Sequence, residues 1–569
     1  MEMKLDLNTL SDHLEDIRPS TQLRIRDDWK KGGRLLSGLL GSNVLLFSGA
    51  LATCVFTEDV DIYEFDFLIF LSIVMVICIV WMFFQMFFTW KYKNAILYKD
   101  CQAGPIWMRA GIVFFGIGTL VMSSVKIAYA AERVDCITPM KFIQPIIHAI
   151  FVIVQTGFLW ISCKHCVQIY VNITRCFLMV LLTVNLVIWV TAVADESRYH
   201  TVELQRLLDR NVSEETNSSI SEQQEDSENI NKCGCRSQCM NSATAFTYLY
   251  PFNIEYNLFA AAMIYIMWKN VGRQIDENAS HCHGIGPGVR KHIPLLGLIA
   301  GVAVLVIGLV MFIMYEVGRE GINRHWLSLT SFYIFHVVSL TLMCLANLVG
   351  IIIFRLDKRN MDNQKNPSRT LDMTLLLGAT LGQYAISYYS IIAMVSTKPF
   401  SILCGLTLSY SVLMILQHSI QNAFIIEGLY RLPPNVLFRP LRSNMSTPTI
   451  PNETIKELTV HEIERRQSLT GAPRSSHRRM SRRETLSAQI KSHLKKRKTM
   501  KDVYLFLFLS NIIFWILPAF GARIRFDSGL EVHFYGFAIW AIITNVCLPF
   551  GIFYRMHAAA TLLELYSMS

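Results

Sequence analysis

The chain has few charged residues and lacks the short motifs that mark several common protein classes. Only 17% of its 569 residues are Asp, Glu, Lys or Arg, whereas soluble chains carry about a quarter. It contains no Gly-rich phosphate loop, no metalloprotease motif and no TVGYG-type ion filter. The GIGPG at 284–288 does not follow a strand. No nucleophile–base set or metal triad is evident, so we expect no enzyme activity.

Hydrophobic residues are abundant and arranged in long runs. They make up 52% of the chain, which includes 34 Phe, and runs near the ~20 residues needed to cross a bilayer recur along its length. Too many of these runs lack a polar face for a soluble helical protein. The polar first 20 residues are not a cleavable signal peptide. We therefore predict an all-α polytopic membrane protein whose first span acts as signal anchor.

Polar breaks between the apolar runs predict about twelve transmembrane helices. The predicted spans are 34–56, 66–90, 106–130, 141–163, 173–195, 249–270, 293–315, 327–354, 371–394, 400–428, 502–520 and 533–554.

The distribution of Lys and Arg predicts the orientation and the domain organisation. Basic residues collect in alternate connections, which places both termini in the cytoplasm. The predicted parts are a cytoplasmic tail (1–33), an N-terminal six-helix half (34–271) that includes an outer loop (196–248), a cytoplasmic connection (272–292), and a C-terminal six-helix half (293–569) that includes a basic linker (431–501).

The outer loop carries features typical of the cell exterior. Asn211 and Asn217 begin glycosylation sequons. Four cysteines on the same predicted side allow three disulfide pairings, which the sequence leaves open; they are Cys136, Cys233, Cys235 and Cys239.

The basic linker has two readings. It is either a disordered tether attracted to anionic lipid or a phosphoswitch, because Ser468, Ser481 and Thr485 each follow paired arginines. The linker supplies much of the net charge of +10, so that charge implies no nucleic-acid partner.

Ionisable groups inside the spans need an explanation, because a charged side chain at mid-membrane costs roughly 2.5–3.5 kcal/mol on insertion scales. Glu255 lies near the start of the sixth predicted span. Burial could let its carboxyl hold and release a proton. The alternative is a residue solvated at the outer interface beside Asn253 and Tyr256.

Neutral polar residues also recur in the spans. Gln417 and Gln421 share one face of the tenth span, next to His418 and Asn422. Lipid cannot satisfy these groups, so they face the protein interior or a water-filled cavity, as relay groups or as structural hydrogen bonds. Further relay candidates are Gln155, Asn185, Gln383, Tyr384, Asn545 and His557, the last of which follows the twelfth span.

Several histidines lie on the predicted outer side among acidic residues. His200, His325 and His533, with Glu531, are candidates for sensing extracellular acid or binding zinc. The alternative for each histidine is an ordinary surface residue. We expect no tightly bound metal and no cofactor, with zinc only as a modulator.

Seven long segments resemble the otopetrins, a family of proton-selective channels, and are most similar to the vertebrate type 2 or type 3 members. They are WKKGGRLLS, AGPIWMRAGIVFFGIGTL, HAIFVIVQTGFLWIS, YLYPFNIEYNLFA with MWKNVGR, NPSRTLDMTLLLGATLGQYAISYYS, ILPAFGAR, and CLPFGIFYRMHAAATLLELY. The resemblance implies two related six-helix halves in a pseudo-tetrameric homodimer. It also implies proton entry on external acidification, modulated by zinc.

The resemblance also assigns roles to individual residues. Glu255 stands in the FNIEY segment and His557 in FYRMH, both consistent with a titratable relay. We expect a channel in the plasma membrane, with protons and membrane lipids, including sterol, as its partners. A proton-coupled secondary transporter is the alternative, because two-half architecture with midplane carboxylates also suits alternating access.

Overall fold

The computed structural model describes most of the chain as long helices. The described residues are 32–53, 64–92, 96–100, 104, 106–132, 138–215, 237–273, 294–319, 325–356, 367–398, 401–431 and 476–568.

The described residues of the first half form six helices and two short strands. In chain order these are α1 (Gly32–Thr53), α2 (Glu64–Lys91), β1 (Ile96–Lys99), α3 (Ile106–Ala131), α4 (Met140–Ser162), β2 (His165–Val167), α5 (Val171–Glu215) and α6 (Ser237–Asn270).

The described part of the second half contains six long helices and two short ones. They are α7 (Leu295–Arg319), α8 (His325–Leu356), α9 (Pro367–Ser396), α10 (Ile402–Leu429), α11 (Ser476–Ala519), the short α12 (Ile524–Asp527) and α13 (Leu530–Tyr535), and α14 (Phe537–Met568).

Eleven helices of the described chain are long and apolar enough to cross a membrane. The predicted sixth span, in α6, is not among them, although α6 has 34 residues. Polar side chains such as Asn253, Glu255 and Asn257 lower its mean hydropathy. These side chains are at most 4% exposed, so α6 fits a helix shielded from lipid. The prediction of an all-α polytopic membrane protein is confirmed.

The two halves pack their helices in the same order. In each half the second helix contacts the fourth and fifth, the third contacts the fourth and sixth, and the fifth contacts the sixth. The halves meet where the sixth helix of each packs on the third helix of the other, α6 on α9 and α14 on α3. Each half has its own apolar core. Trp515, Ala519 and Ile552 of the second half extend into the core of the first.

Three boundaries differ from the sequence predictions. The outer loop 196–248 is helical over much of its length, because α5 continues to Glu215 and α6 begins at Ser237. The linker is not a tether throughout, since α11 begins at Ser476 inside it. The twelfth span is interrupted near its start by Gly536, whose φ of 81° ends α13. It then continues to Met568 as α14. Polar composition conceals these helical extensions in the sequence.

The two strands form a small element that the hydropathy pattern does not predict. β1 pairs antiparallel with β2 and joins the ends of α2 and α4. Beside it, Asp100 accepts hydrogen bonds from Asn270 at 3.0 Å and from Arg273 at 3.2 Å. The strand pair is thereby connected to the end of α6.

Candidate functional site

A fully buried Gln–Asn–Tyr triad lies at the centre of the first half. The Gln155 and Asn185 side chains exchange two hydrogen bonds, at 2.8 and 2.9 Å, between α4 and α5. Gln155 also donates to the Tyr256 hydroxyl of α6 at 3.3 Å. All three side chains have no solvent exposure. The relay candidates Gln155 and Asn185 are thus brought together, with Tyr256 as an additional member.

The second half repeats this triad with the same residue types on the equivalent helices. Gln421 on α10 and Asn511 on α11 exchange two hydrogen bonds of 3.1 Å, and Gln421 donates to Tyr554 of α14 at 3.2 Å. In both triads the Asn amide also donates to a carbonyl one turn earlier, at 2.8 Å. Such networks satisfy polar groups that lipid cannot.

Asn511, Tyr256 and Tyr554 are not among the predicted site residues, but an internal repeat in the sequence identifies them. The asparagines stand in NLVIW at 185–189 and in NIIFW at 511–515. The tyrosines stand in PFNIEYNLFAAA at 251–262 and in PFGIFYRMHAAA at 549–560. Aligning the two copies of the repeat pairs these residues on sequence similarity.

The same repeat shows where the halves differ in charge. The position of Asn257 in the first half is occupied by Arg555 in the second. Arg555 is 2% exposed. It donates to Gln417 at 2.9 Å and to Asn511 at 3.2 Å, and it lies 4.9 Å from the Phe514 ring centre. A fixed positive charge therefore touches the second triad, while the equivalent residue of the first is neutral.

Glu255 lies at the boundary between the two halves. Its Oε1 accepts a hydrogen bond of 2.9 Å from the Trp515 indole nitrogen of α11. Its Oε2 is buried and has no hydrogen-bond partner in the described part of the chain. The residue is 1% exposed, so the alternative of a carboxylate solvated at the outer interface is wrong. The repeat places Phe553 at the equivalent position, so the second half has no acid there.

Most of the other relay candidates have separate partners. Gln417 donates to Gln421 at 2.7 Å, which joins it to the second triad. Asn422 donates to Thr380 at 2.9 Å and Gln383 donates to Ser387 at 3.3 Å.

Two candidates lie farther from the core. The Tyr384 hydroxyl contacts that of Ser419 at 2.6 Å on an exposed face. Asn545 accepts from Arg523 at 3.4 Å.

His557 lies within α14 rather than after the last span, because that helix continues beyond it. Its Nε2 is 3.1 Å from the Asp372 carbonyl and 3.9 Å from the Asp372 carboxylate. Both residues are at least nine-tenths buried. His557 and Asp372 form an acid–imidazole pair between α9 and α14. Asp372 is not among the predicted site residues, because it lies at the polar start of its span.

The outer candidates are not assembled into one site by the described residues. Glu531 is fully buried and accepts hydrogen bonds from Ser390 at 2.7 Å and Ser528 at 2.9 Å. Glu531 is therefore a buried carboxyl rather than an exposed one. His533, two residues later, is exposed. His200 lies in α5 and His325 begins α8, but their side chains are outside the described part.

The metal, disulfide and glycosylation predictions rest mainly on residues outside the description. Within it, no three His, Cys, Asp or Glu side chains group around a possible metal position. Cys136, Cys233, Cys235 and Asn217 lie outside the described residues. Asn211 is in α5 and Cys239 in α6, with side chains that are not described.

These features define a polytopic helical membrane protein with two repeated polar clusters in its core. The otopetrin family model matches residues 107–238, 208–443 and 479–556, and the chain belongs to the otopetrin family.

Known proteins align with nearly the whole chain. "Proton channel OTOP2" of Homo sapiens is 42% identical over 564 residues, 97% of this chain and 98% of that protein. "Proton channel OTOP3" of Homo sapiens is 35% identical, over 94% of this chain and 86% of that protein. "Proton channel OTOP1" of Danio rerio is 29% identical, over 94% and 91%. The predicted similarity to type 2 or type 3 members is confirmed.

Proposed function

We propose that this protein is a proton-selective channel that opens on extracellular acidification and conducts protons into the cell. The proposal is supported by the family and by the names of its relatives. The single observation that carries it is the buried Glu255 at the boundary of the two halves, whose second oxygen has no hydrogen-bond partner among the described residues. A carboxyl held by one neutral donor can take up and release a proton without breaking an ion pair.

The proton pathway that we favour passes through the first half and along its boundary with the second half. Glu255 directly precedes Tyr256, the α6 member of the first triad, so a proton acceptor stands next in sequence to one residue of the amide–hydroxyl network. In this half the hydrogen-bond partners of the triad among the described residues are neutral. Water molecules would complete the path between these groups.

Protons pass less readily through the triad of the second half. A fixed positive charge in a low-dielectric region repels a mobile cation, as arginines do in pores that exclude protons. Arg555 occupies such a position next to Gln417 and Asn511. We infer that His557 and Asp372 act on the gate or a secondary path.

The acid sensor in this proposal is the buried Glu531 of α13. Burial raises the pKa of the Glu531 carboxyl above its usual range. The hydrogen bond from Ser390 and the charge of Arg525 act in the opposite direction. A group poised this way takes up a proton as the outside becomes acidic. Zinc modulation through His533, together with His200 or His325, belongs to the same proposal.

The oligomeric state, membrane location and orientation of the channel are also part of the proposal. We propose a homodimer in the plasma membrane with both termini in the cytoplasm and with sterol among its lipid contacts. Many large apolar side chains face outward, including Leu35, Val80, Leu296 and Leu381, and provide surface for lipid or a second copy. Terminal epitope tags that need permeabilisation for labelling would support the orientation, and a dimeric mass in detergent would support the assembly.

The decisive test is whole-cell recording with cytoplasmic pH imaging during bath acidification without metal cations. A proton channel gives an inward current and cytoplasmic acidification, with a reversal potential that follows the proton gradient. A reversal potential independent of that gradient would contradict the proposal. A requirement for a co-substrate would instead identify a proton-coupled transporter.

A further inference from the structure

A cavity in the second half is lined by arginines and, among the described residues, by no acidic side chain. It has a volume of about 70 Å³ and lies among α8, α9, α10, α11 and α14, next to the segment before α12. Its charged or titratable lining includes Arg523, Arg525, Arg555 and His336. Arginines that line a cavity favour an anion inside it.

Two of the three arginines have only neutral hydrogen-bond partners in the described part of the chain. Arg523 differs from them, since it lies 3.6 Å from Glu196 of α5. Arg555 donates to Gln417, Asn511 and Met414, all neutral groups. Its charge therefore has no counter-ion among these contacts.

Arg525 has the weakest hydrogen bonding of the three arginines among the described residues. Its Nη2 makes a single 3.4 Å hydrogen bond to Ser387, and the guanidinium lies 5.1 Å from the centre of the Tyr410 ring. Its Nη1 is buried without a hydrogen-bond partner in the described chain, and the residue is 7% exposed. Glu531 interacts electrostatically with Arg525, but its two oxygens accept from Ser390 and Ser528.

Buried charges without a counter-ion are costly. Removing one partner from a buried ion pair strongly destabilises a protein, since the remaining charge is desolvated without compensation. Neither Arg525 nor Arg555 forms an ion pair among the described residues, and Arg525 Nη1 has no hydrogen-bond partner there. A cavity that both line, and that is large enough for a monatomic ion with water, is a natural place for a further counter-ion. We propose that this cavity binds a small monovalent anion, with chloride as the ion of suitable size, held mainly by Arg525.

The volume of the cavity limits the size of the anion that it can bind. A water molecule needs about 10–15 Å³ of such space, and an engineered cavity of about 150 Å³ holds benzene. At about 70 Å³, the site admits chloride or bromide with a few waters. It is too small for a polyol carboxylate such as gluconate. Gluconate is therefore a matched anion that should not occupy the site.

Anion binding here goes beyond proton conduction and can be measured without a proton current. Bound chloride stabilises the folded chain by mass action. In the purified full-length protein in detergent, replacing gluconate with chloride at equal ionic strength and pH should raise the unfolding temperature by about 2 °C or more. The effect should saturate with chloride concentration, and chloride should show protein-dependent broadening of its ³⁵Cl NMR line.

Two variants assign the effect to the cavity. Arg525→Gln should abolish both the chloride-dependent rise in unfolding temperature and the line broadening. Arg525→Lys, which keeps the charge, should retain them with a higher half-saturating concentration. Arg369→Gln is the matched control, since Arg369 lies over Tyr430 away from the cavity. It should behave as wild type.

The proposal is overturned if wild-type protein unfolds at the same temperature in chloride and gluconate and gives no line broadening. It is also overturned if Arg525→Gln keeps the full chloride effect, which would indicate a general salt effect on the surface. If Arg525→Gln does not fold, the Arg525→Lys titration and the wild-type line width decide.

Discussion

Trp515 donates its indole hydrogen to Glu255 across 2.9 Å, joining helices whose residues are 260 positions apart. The bond spans the boundary between the two halves of the chain. A neutral donor stabilises a carboxylate without cancelling its charge, unlike an arginine or lysine. Glu255 is therefore held in place while its other oxygen stays free of partners among the described residues.

The first prediction concerns the charge of Glu255. Glu255→Gln keeps an acceptor oxygen for Trp515 but removes the group that takes up a proton. We expect the proton current per surface-expressed channel to fall by about tenfold or more. Whole-cell recording with surface biotinylation measures this. Glu427→Gln, which alters an ion pair with Arg431 at the end of α10, is the control and should conduct normally. Wild-type currents from Glu255→Gln would remove this residue from the route.

The second prediction compares the two triads directly. Asn185→Ala and Asn511→Ala each delete the side chain that exchanges two hydrogen bonds with a buried glutamine. Each should lower the free energy of unfolding by about 1–3 kcal/mol, because a buried polar group loses its partner. Since the favoured route follows the first half, the current should fall much more in Asn185→Ala. Equal losses of current at equal surface expression would contradict that assignment.

The third prediction tests Arg555 as an electrostatic barrier. Arg555→Gln keeps amide donors toward Gln417 and Asn511 but removes the positive charge. We expect a larger proton current, since the second half then presents a smaller barrier to cations. Arg555→Lys retains the charge and should conduct like wild type. Currents normalised to surface protein give the answer, and a lower current in properly delivered Arg555→Gln would exclude the barrier.

The fourth prediction follows from the burial of Glu531. Its raised pKa means that the folded protein holds this proton more tightly than the unfolded chain does. The resulting stabilisation is fully present below the ordinary value of 4.5 and is lost as the pH rises through the raised pKa. Amide exchange in residues 524–535 should therefore be slower at pH 5 than at pH 7.4, after correction for intrinsic exchange rates.

Glu531→Gln should remove most of that pH dependence, because the amide stays neutral throughout. His533→Gln is the companion variant. Because the His533 side chain is exposed, this change should leave the exchange pattern as in wild type. A pH dependence that persists unchanged in Glu531→Gln would assign the effect to another group.

The membrane helices follow from the sequence because apolar length is a local property. Ile402–Leu429 differs from its predicted span by only two residues at the start and one at the end. The C-terminal end of α5 and the N-terminal start of α11 cannot be predicted in this way. Their polar extensions have the composition of loops, and only the chain geometry shows that the helices continue. The sequence does not predict the burial of Glu531, because this residue lies in a six-residue helix between two glycines.

The site was predicted in part for a similar reason. Periodicity placed Gln417 and Gln421 on one face, and they do bond to each other. Gln155 and Asn185 were singled out as polar residues in apolar helices, but nothing local shows that they face each other. Identifying a partner on another helix needs the structure. The repeat in 251–262 and 549–560 shows which residues of the two halves are equivalent, but not which residues touch.

The paired triads mean that one hydrogen-bonded unit exists twice in a single polypeptide, once beside Asn257 and once beside Arg555. Because the unit is duplicated, the two triads can have different functions: one has a cationic neighbour, Arg555, and the other has a neutral residue, Asn257, at the equivalent position. The first triad therefore serves as an internal control for the second. Any property measured at one triad, whether hydration, proton affinity or rigidity, can be compared with a structural twin in the same protein, membrane and experiment.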